Sequence, residues 1–104
     1  MTLVDSGLKI HGFHLDDVAV LVVGGEADRD TAQLLRAAFD TLHPHEYVYV
    51  DCFDVGFVAS EGLAPLCQLA RRNVIAGGPL HVRASAALRR IVEISGVEHL
   101  FAFD

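Results

Sequence analysis

A chain of 104 residues, 52% hydrophobic and 21% charged, is long enough to bury one core and too short for a second lobe; that balance excludes disordered, collagen-like and disulfide-framework classes. The net charge of −6 is unevenly placed, because residues 1–54 carry three Lys or Arg against ten Asp or Glu and residues 55–104 five against four, leaving −7 and +1. A polyanion is repelled by the first half, which argues against nucleic acid and anionic membrane surfaces as partners and favours a basic protein surface.

Met1 to Ile10 has neither a basic start nor an apolar stretch of secretory length, so no signal peptide is expected and the chain is expected in the cytosol. Leu8, Ile10, Phe13 and Leu15 predict a short edge strand around His11-Gly12. Val18 to Val23 is a β-branched run buried on both faces and ended by Gly24-Gly25, with a hairpin turn at Asp16-Asp17. That run is the longest apolar one at six residues, where a membrane-spanning helix needs roughly 20.

From Asp30 the period changes. Leu34, Leu35, Ala38, Phe39 and Leu42 fall on one helical face and Gln33, Arg36 and Asp40 on the other. Asp28 or Asp30 can cap this helix and His43-Pro44 stops it. Tyr47 to Phe53 reads as a strand, followed by a loop and a helix over roughly Gly62 to Ala76 that ends at Gly77-Gly78-Pro79. Its core stripe is Leu63, Leu66, Leu69, Ala70 and Asn73-Val74.

Leu80 to Ala84 alternates as a strand, Ser85 caps a helix carrying Leu88, Ile91, Val92 and Ile94, and Gly96 ends it. The apolar tail Leu100 to Phe103 is expected to pack down. The order β-β-α-β-α-β-α with right-handed crossovers predicts one α/β domain over residues 1–104, its sheet mostly parallel with one antiparallel N-terminal edge strand and about three to four helices. Loops leaving the carboxyl ends of parallel strands gather at one edge, where ligands and partners meet such folds. Here they are Gly24 to Asp30, Asp54 to Glu61, and Ala84 to Ser85.

The most informative stretch is Asp51-Cys-Phe-Asp-Val-Gly-Phe-Val-Ala-Ser-Glu-Gly-Leu63, which leads from a strand to Ser60 at or just before a helix start. Any helix favours serine at its N-cap, so capping is one reading of Ser60. Capping is equally open for Asp28 and Asp30, which also lie where partner-contacting acids belong. Arg71-Arg72 and Arg89-Arg90 read as solvated helix faces.

Three blocks resemble the sulfate-transporter and anti-sigma-antagonist (STAS) family. Gly25-Glu26-Ala27-Asp28 is similar to its Gly-Glu-Leu-Asp turn. The stretch from Asp51 to Leu63 aligns without gaps to its Asp-Leu-Ser…Phe-x-Asp-Ser-Ser-Gly-Leu motif, and Leu88 to Phe101 resembles its closing helix. The resemblance covers Val18 to Phe101. It implies an anti-sigma factor antagonist-like module in which Ser60 is phosphorylated by a partner that is both kinase and anti-sigma factor, with Asp28, Asp30, Ala59, Ser60, Glu61, Gly62 and Leu63 as the partner-binding set. Three positions depart from the pattern: Ala59 stands where the family has aspartate, Glu61 where it commonly has a second serine, and Pro65 lies inside the helix. The alternative is a STAS scaffold subunit of a larger regulatory or transporter complex with no phosphorylation cycle. Self-association stays open.

Catalytic and metal-binding readings have little to stand on. Val58-Ala-Ser60-Glu-Gly62 is half of a nucleophile elbow whose first glycine is missing, and His81 and His99 offer no context for a triad, so no enzyme is expected. His11-x-x-His14 and His43-Pro-His45 lack a cysteine or carboxylate at ligand spacing, Gly24-Gly25 and Gly77-Gly78 are lone doublets, and neither a metal nor a cofactor is expected. Cys52 and Cys67 read as buried small hydrophobes.

Overall fold

The computed structural model describes residues 1–44 and 46–104, and the side chains of all of these but residues 74–76. Six strands form one sheet in chain order: β1 (Thr2–Val4), β2 (Leu8–Leu15), β3 (Val18–Ala27), β4 (Tyr47–Val58), β5 (Leu80–Ala84) and β6 (Phe101–Phe103). β1, β2 and β3 pair antiparallel, and β3 through β6 pair parallel. The crossovers are α1 (Ala32–Asp40), α2 (Ser60–Ala76) and α3 (Ala86–Ser95), the last followed by a 3₁₀ turn at Glu98–Leu100. This is the α/β fold expected from the element order.

One face of the sheet carries the core. Leu8 and Ile10 of β2, Ala19, Leu21 and Val23 of β3, Val48 and Val50 of β4, and Leu80 and Val82 of β5 are buried at alternate positions. Against them α1 turns Leu35, Ala38 and Phe39, α2 turns Leu63, Leu66, Leu69 and Ala70, and α3 turns Leu88 and Val92. Val74 of the expected α2 stripe has a side chain outside the described residues. The helices touch one another in the order α1, α2, α3, which puts them in a single layer.

Several elements differ from expectation, each for a local reason. β2 is not the edge strand, because Thr2–Val4 covers it, joined by a turn in which Asp5 Oδ1 accepts from the Gly7 and Leu8 N–H groups at 2.9 and 3.0 Å. Three residues carry no readable period, and the strand exists through its pairing. Gly24-Gly25 does not end β3 but marks irregular pairing with β4, where the register shifts twice. Gly25 sits at φ +112, and a Cβ there would lie 2.3 Å from the Gly7 carbonyl oxygen. The span expected as a loop from Asp54 continues as β4 to Val58, and the tail pairs with β5 as β6.

Other local expectations hold. The hairpin turns at Asp16-Asp17 with Asp16 at φ +52, a conformation aspartate tolerates. Ser85 caps α3, its Oγ accepting from the Leu88 N–H at 3.1 Å, and Gly96 ends it at φ +69. Ile94 is a correction: it is 78% exposed, standing off the stripe set by Leu88 and Val92. Arg72 is exposed as expected of a solvated helix face, and its guanidinium in addition donates to the Phe39 carbonyl at 3.2 Å and so ties α2 to the end of α1.

Candidate functional site

The candidate site is built where β3 and β4 hand over to helices. β3 ends at Ala27, whose carbonyl accepts from the Ala59 N–H at 2.8 Å, and Ala59 is the single residue between β4 and α2. Gly62, in the first turn of α2, lies directly under the same carbonyl: a Cβ there would sit 2.1 Å from the Ala27 oxygen and 2.8 Å from the Asp28 nitrogen. Only glycine permits this approach. It presses the start of α2 onto the Asp28 turn and brings Ser60 beside it.

The turn itself is tightly bonded. Asp28 Oδ1 accepts from the Asp30 and Thr31 N–H groups at 2.9 and 3.0 Å, and the Thr31 hydroxyl accepts from the Asp28 N–H at 2.9 Å and donates to the Glu26 carbonyl at 2.8 Å. Asp28 therefore shapes the entry to α1, while Asp30 is exposed and its carboxylate accepts no hydrogen bond among the described residues.

Ser60 is the first residue of α2, so the helix starts two residues earlier than the expected Gly62 and the serine is not its cap. Ala59 holds the cap position with extended backbone, φ −94 and ψ 166, and has no side-chain oxygen to offer. The Gly62 and Leu63 N–H groups share the Ala59 carbonyl at 3.0 Å each. Ser60 and Glu61 point their N–H groups out of the helix end, and neither has an acceptor among the described residues. The Ser60 side chain is exposed, and its hydroxyl makes no hydrogen bond among the described residues. Pro65 is the sixth helical residue; it leaves the Glu61 carbonyl without its intrahelical donor, at an exposed position, and packs its own ring fully out of solvent.

Beside Ser60 a groove of about 590 Å³ runs between the end of β4 and α3, lined among others by Phe57, Val58, Ala87, Arg90, Ile91 and Ile94. Phe57 and Ile94 are 51% and 78% exposed. The surface is thus divided: acids Glu26, Asp28, Asp30 and Glu61 on the α1 side of Ser60, an apolar groove with Arg90 on the α3 side. The sequence reading missed this second half, although the phase of Ile94, two residues from Val92 and six from Leu88, placed it off the core face.

The seven residues of the expected binding set do come together, but at two depths. Asp30, Ser60 and Glu61 are exposed, Asp28 and Ala59 half-buried, and Gly62 and Leu63 buried beneath them. Of the three converging loops, the Ala84-Ser85 end serves to cap α3.

The remaining reactive side chains lie elsewhere. Burial, with a smaller contribution from Asp51, pushes the Cys52 thiol up to about 12, and burial also raises that of Cys67. His11 and His14 stand three apart on β2 and so point to opposite faces. His11 Nδ1 meets the Thr2 hydroxyl at 2.9 Å, and His14 pairs with Glu46, whose carboxylate is held below its usual range chiefly by the His43 N–H and then by His14. The His43-Pro44-His45 pair, set aside as a metal site on its spacing, falls partly outside the described residues. Among the described residues no three His, Cys, Asp or Glu side chains are placed to hold a metal ion, and no histidine hydrogen-bonds Ser60. No helix among them is long and apolar enough to cross a membrane.

A family model described as "Mlab, STAS domain" matches residues 12–102. Among solved structures, an anti-sigma factor antagonist from Mycobacterium paratuberculosis is similar over 92% of this chain and 84% of its own, at 26% identity and a TM-score of 0.76. A candidate anti-sigma factor antagonist of Thermotoga maritima matches over 90% and 84% at 14% identity and a TM-score of 0.76. The Bacillus cell fate determinant SpoIIAA, in its phosphorylated form, matches over 91% and 90% at 18% identity and a TM-score of 0.64. At such identities the last two speak for the fold. No curated protein matches the chain.

Proposed function

The chain belongs to the STAS domain family, and from that footing we propose that it is an anti-sigma factor antagonist-like binding module, not an enzyme, whose hold on a kinase and anti-sigma partner is switched by phosphorylation of Ser60. The observation that carries the reading is an unpaired, exposed Ser60 hydroxyl in the first turn of α2, seated against the Asp28 turn by the Ala59 to Ala27 hydrogen bond. Asp28, Asp30, Ala59, Ser60 and Glu61 meet the partner, with Gly62 and Leu63 supporting them from below.

Electrostatics makes Ser60 a switch. A phosphoserine adds about −1.5 to −2 charges and three acceptor oxygens, here beside free N–H groups at the positive end of a helix dipole, so the fold tolerates it. A partner surface closed over it does not: an unpaired buried charge costs about 2 to 5 kcal/mol, or roughly 30-fold to several-thousand-fold in affinity. Binding is therefore lost on modification while the domain stays folded.

A second reading, a scaffold subunit with constitutive binding, is favoured by Ala59 and Glu61, because Ala59 removes the family carboxylate and Glu61 repels an incoming phosphate. Co-expression with candidate anti-sigma kinases, followed by intact-mass measurement, separates the two. Gain of one phosphate group, absent from Ser60→Ala, together with release of the kinase, supports the switch. Stable binding with no mass change in any pairing refutes it in favour of the scaffold.

A further inference from the structure

All three helices lie on one face of the sheet and none covers the other, where apolar side chains of β2, β3 and β4 stand beside His11, His81 and the Asp51–Arg83 ion pair. The register aligns Phe13, Val20 and Tyr49 in one row across β2, β3 and β4, and Leu15, Val18 and Tyr47 in the next. Leu15 and Tyr47 are 63% and 75% exposed. Monomeric domains rarely leave so continuous an apolar patch open to water.

Asp51 and Arg83 pair with each other on this face, and the charge at the two ends of β2 is placed to suit one occupant. Beyond the Val20 row, at one end of β2, stands Lys9 opposite Gly24; at the other end stands the Asp16-Asp17 turn. Gly24 and Asp16 are each four residues from Val20, so a two-fold axis lying along the Phe13–Val20–Tyr49 row exchanges the two ends. It sets Lys9 of each copy over the Asp16-Asp17 turn of the other. The Cα envelope measures 30 × 29 × 20 Å, and in a two-layer domain the short dimension is the thickness. The outline of the open face is therefore at most on the order of 900 Å², enough to hold the roughly 800 Å² per partner of a standard interface.

We propose that the open sheet face is a homodimer interface, two copies packing face to face with strands running in opposite directions, the Phe13–Val20–Tyr49 row of each copy lying over that of the other along the axis and Lys9 meeting the acidic turn of the second copy. Sheets packed this way lie about 10 Å apart and align within about 30°. The Ser60 site is at the carboxyl ends of β3 and β4 and stays open in both copies, so the dimer presents two switch sites facing away from each other.

Sedimentation velocity of the whole chain between about 5 and 200 μM tests this. The wild type should sediment at twice the 11.3 kDa chain mass. Leu15→Asp and Tyr47→Asp, both at exposed positions, should sediment as monomers with unchanged circular dichroism, while Ile94→Asp, beside Ser60, should remain a dimer. Lys9→Glu should weaken the dimer at least tenfold, and adding Asp17→Lys should restore it. A wild type that stays at 11.3 kDa throughout overturns the proposal and leaves the face to a different protein; so does a dimer that survives Tyr47→Asp or that Ile94→Asp abolishes. None of these results bears on Ser60, whose test is the phosphate mass.

Discussion

Replacing Ala59 with aspartate should stabilise the domain. The backbone at Ala59 already has the extended conformation of a helix cap, at φ −94 and ψ 166, so the new side chain needs no rearrangement to reach the first turn of α2. There it finds the Glu61 N–H, which has no acceptor among the described residues, and the Gly62 N–H, which shares the Ala59 carbonyl with Leu63. A cap of this kind contributes about 1 kcal/mol, range 0.5 to 2, and the helix dipole adds a few tenths. Glu61 in the same turn, with Glu26 and Asp28 nearby, repels the new charge and takes back part of the gain. A net gain of about 1 kcal/mol raises the melting temperature of a domain this size by roughly 4 to 8 °C. Urea and thermal denaturation at pH 7 measure it. A capping carboxylate has a folded-state pKa below its unfolded value of about 3.9, so its contribution is present above about pH 4 and lost as pH falls through the folded pKa. Ala59→Asn should keep its gain in acid. An aspartate variant no more stable than the wild type at pH 7 refutes the assignment of Ala59 as an empty cap.

Gly62→Ala should cost about 3 kcal/mol or more in urea denaturation, against the roughly 1 kcal/mol that helix propensity alone awards to alanine, because the new Cβ meets the Ala27 carbonyl and Asp28 nitrogen, which are backbone and cannot rotate away. Cys52 in the folded chain should stay unreactive towards a thiol reagent at pH 8 and react at once in denaturant, since burial holds its pKa at about 12. Tyr49 donates to Asp104 Oδ2 at 2.5 Å and is pushed up to about 12 by that bond and by burial, so ultraviolet titration should show one tyrosine ionising near that pH and Asp104→Asn should bring it down. The folded pKa lies above the unfolded value of about 10, so this contribution to stability is whole below pH 10 and disappears as pH rises through about 12.

How far the fold could be read from residues depended on whether a residue's neighbours in the chain are also its neighbours in space. The α1 stripe of Leu35, Ala38 and Phe39, the Asp16-Asp17 hairpin and the Ser85 to Gly96 helix are local patterns, and each appears where its residues indicated. β1 is three residues long and stands only because β2 offers it an edge. The length of β4 was hidden for a related reason: Asp51, Asp54 and Gly56 interrupt its apolar alternation, and the shifts in register opposite Gly24 and Gly25 let β3 follow it to Val58. Those glycines looked like a strand end because glycine marks both a stop and a bulge.

The position of Ser60 turns on that distinction. With β4 taken to end at Phe53 and α2 to begin at Gly62, eight residues of loop separate strand from helix and a serine among them reads as a cap. With β4 running to Val58, one residue remains, and Ala59 must be that cap. Ser60 then enters the helix proper, where its hydroxyl is free of capping and available to solvent. The residue that makes this possible is Gly62, because any side chain there would push the start of α2 off the Ala27 carbonyl and carry Ser60 away from the acidic turn. The motif Ser-Glu-Gly-Leu is thus a positioning device in which the serine faces outward, the leucine anchors the helix in the core, and the glycine sets the distance between the serine and Asp28.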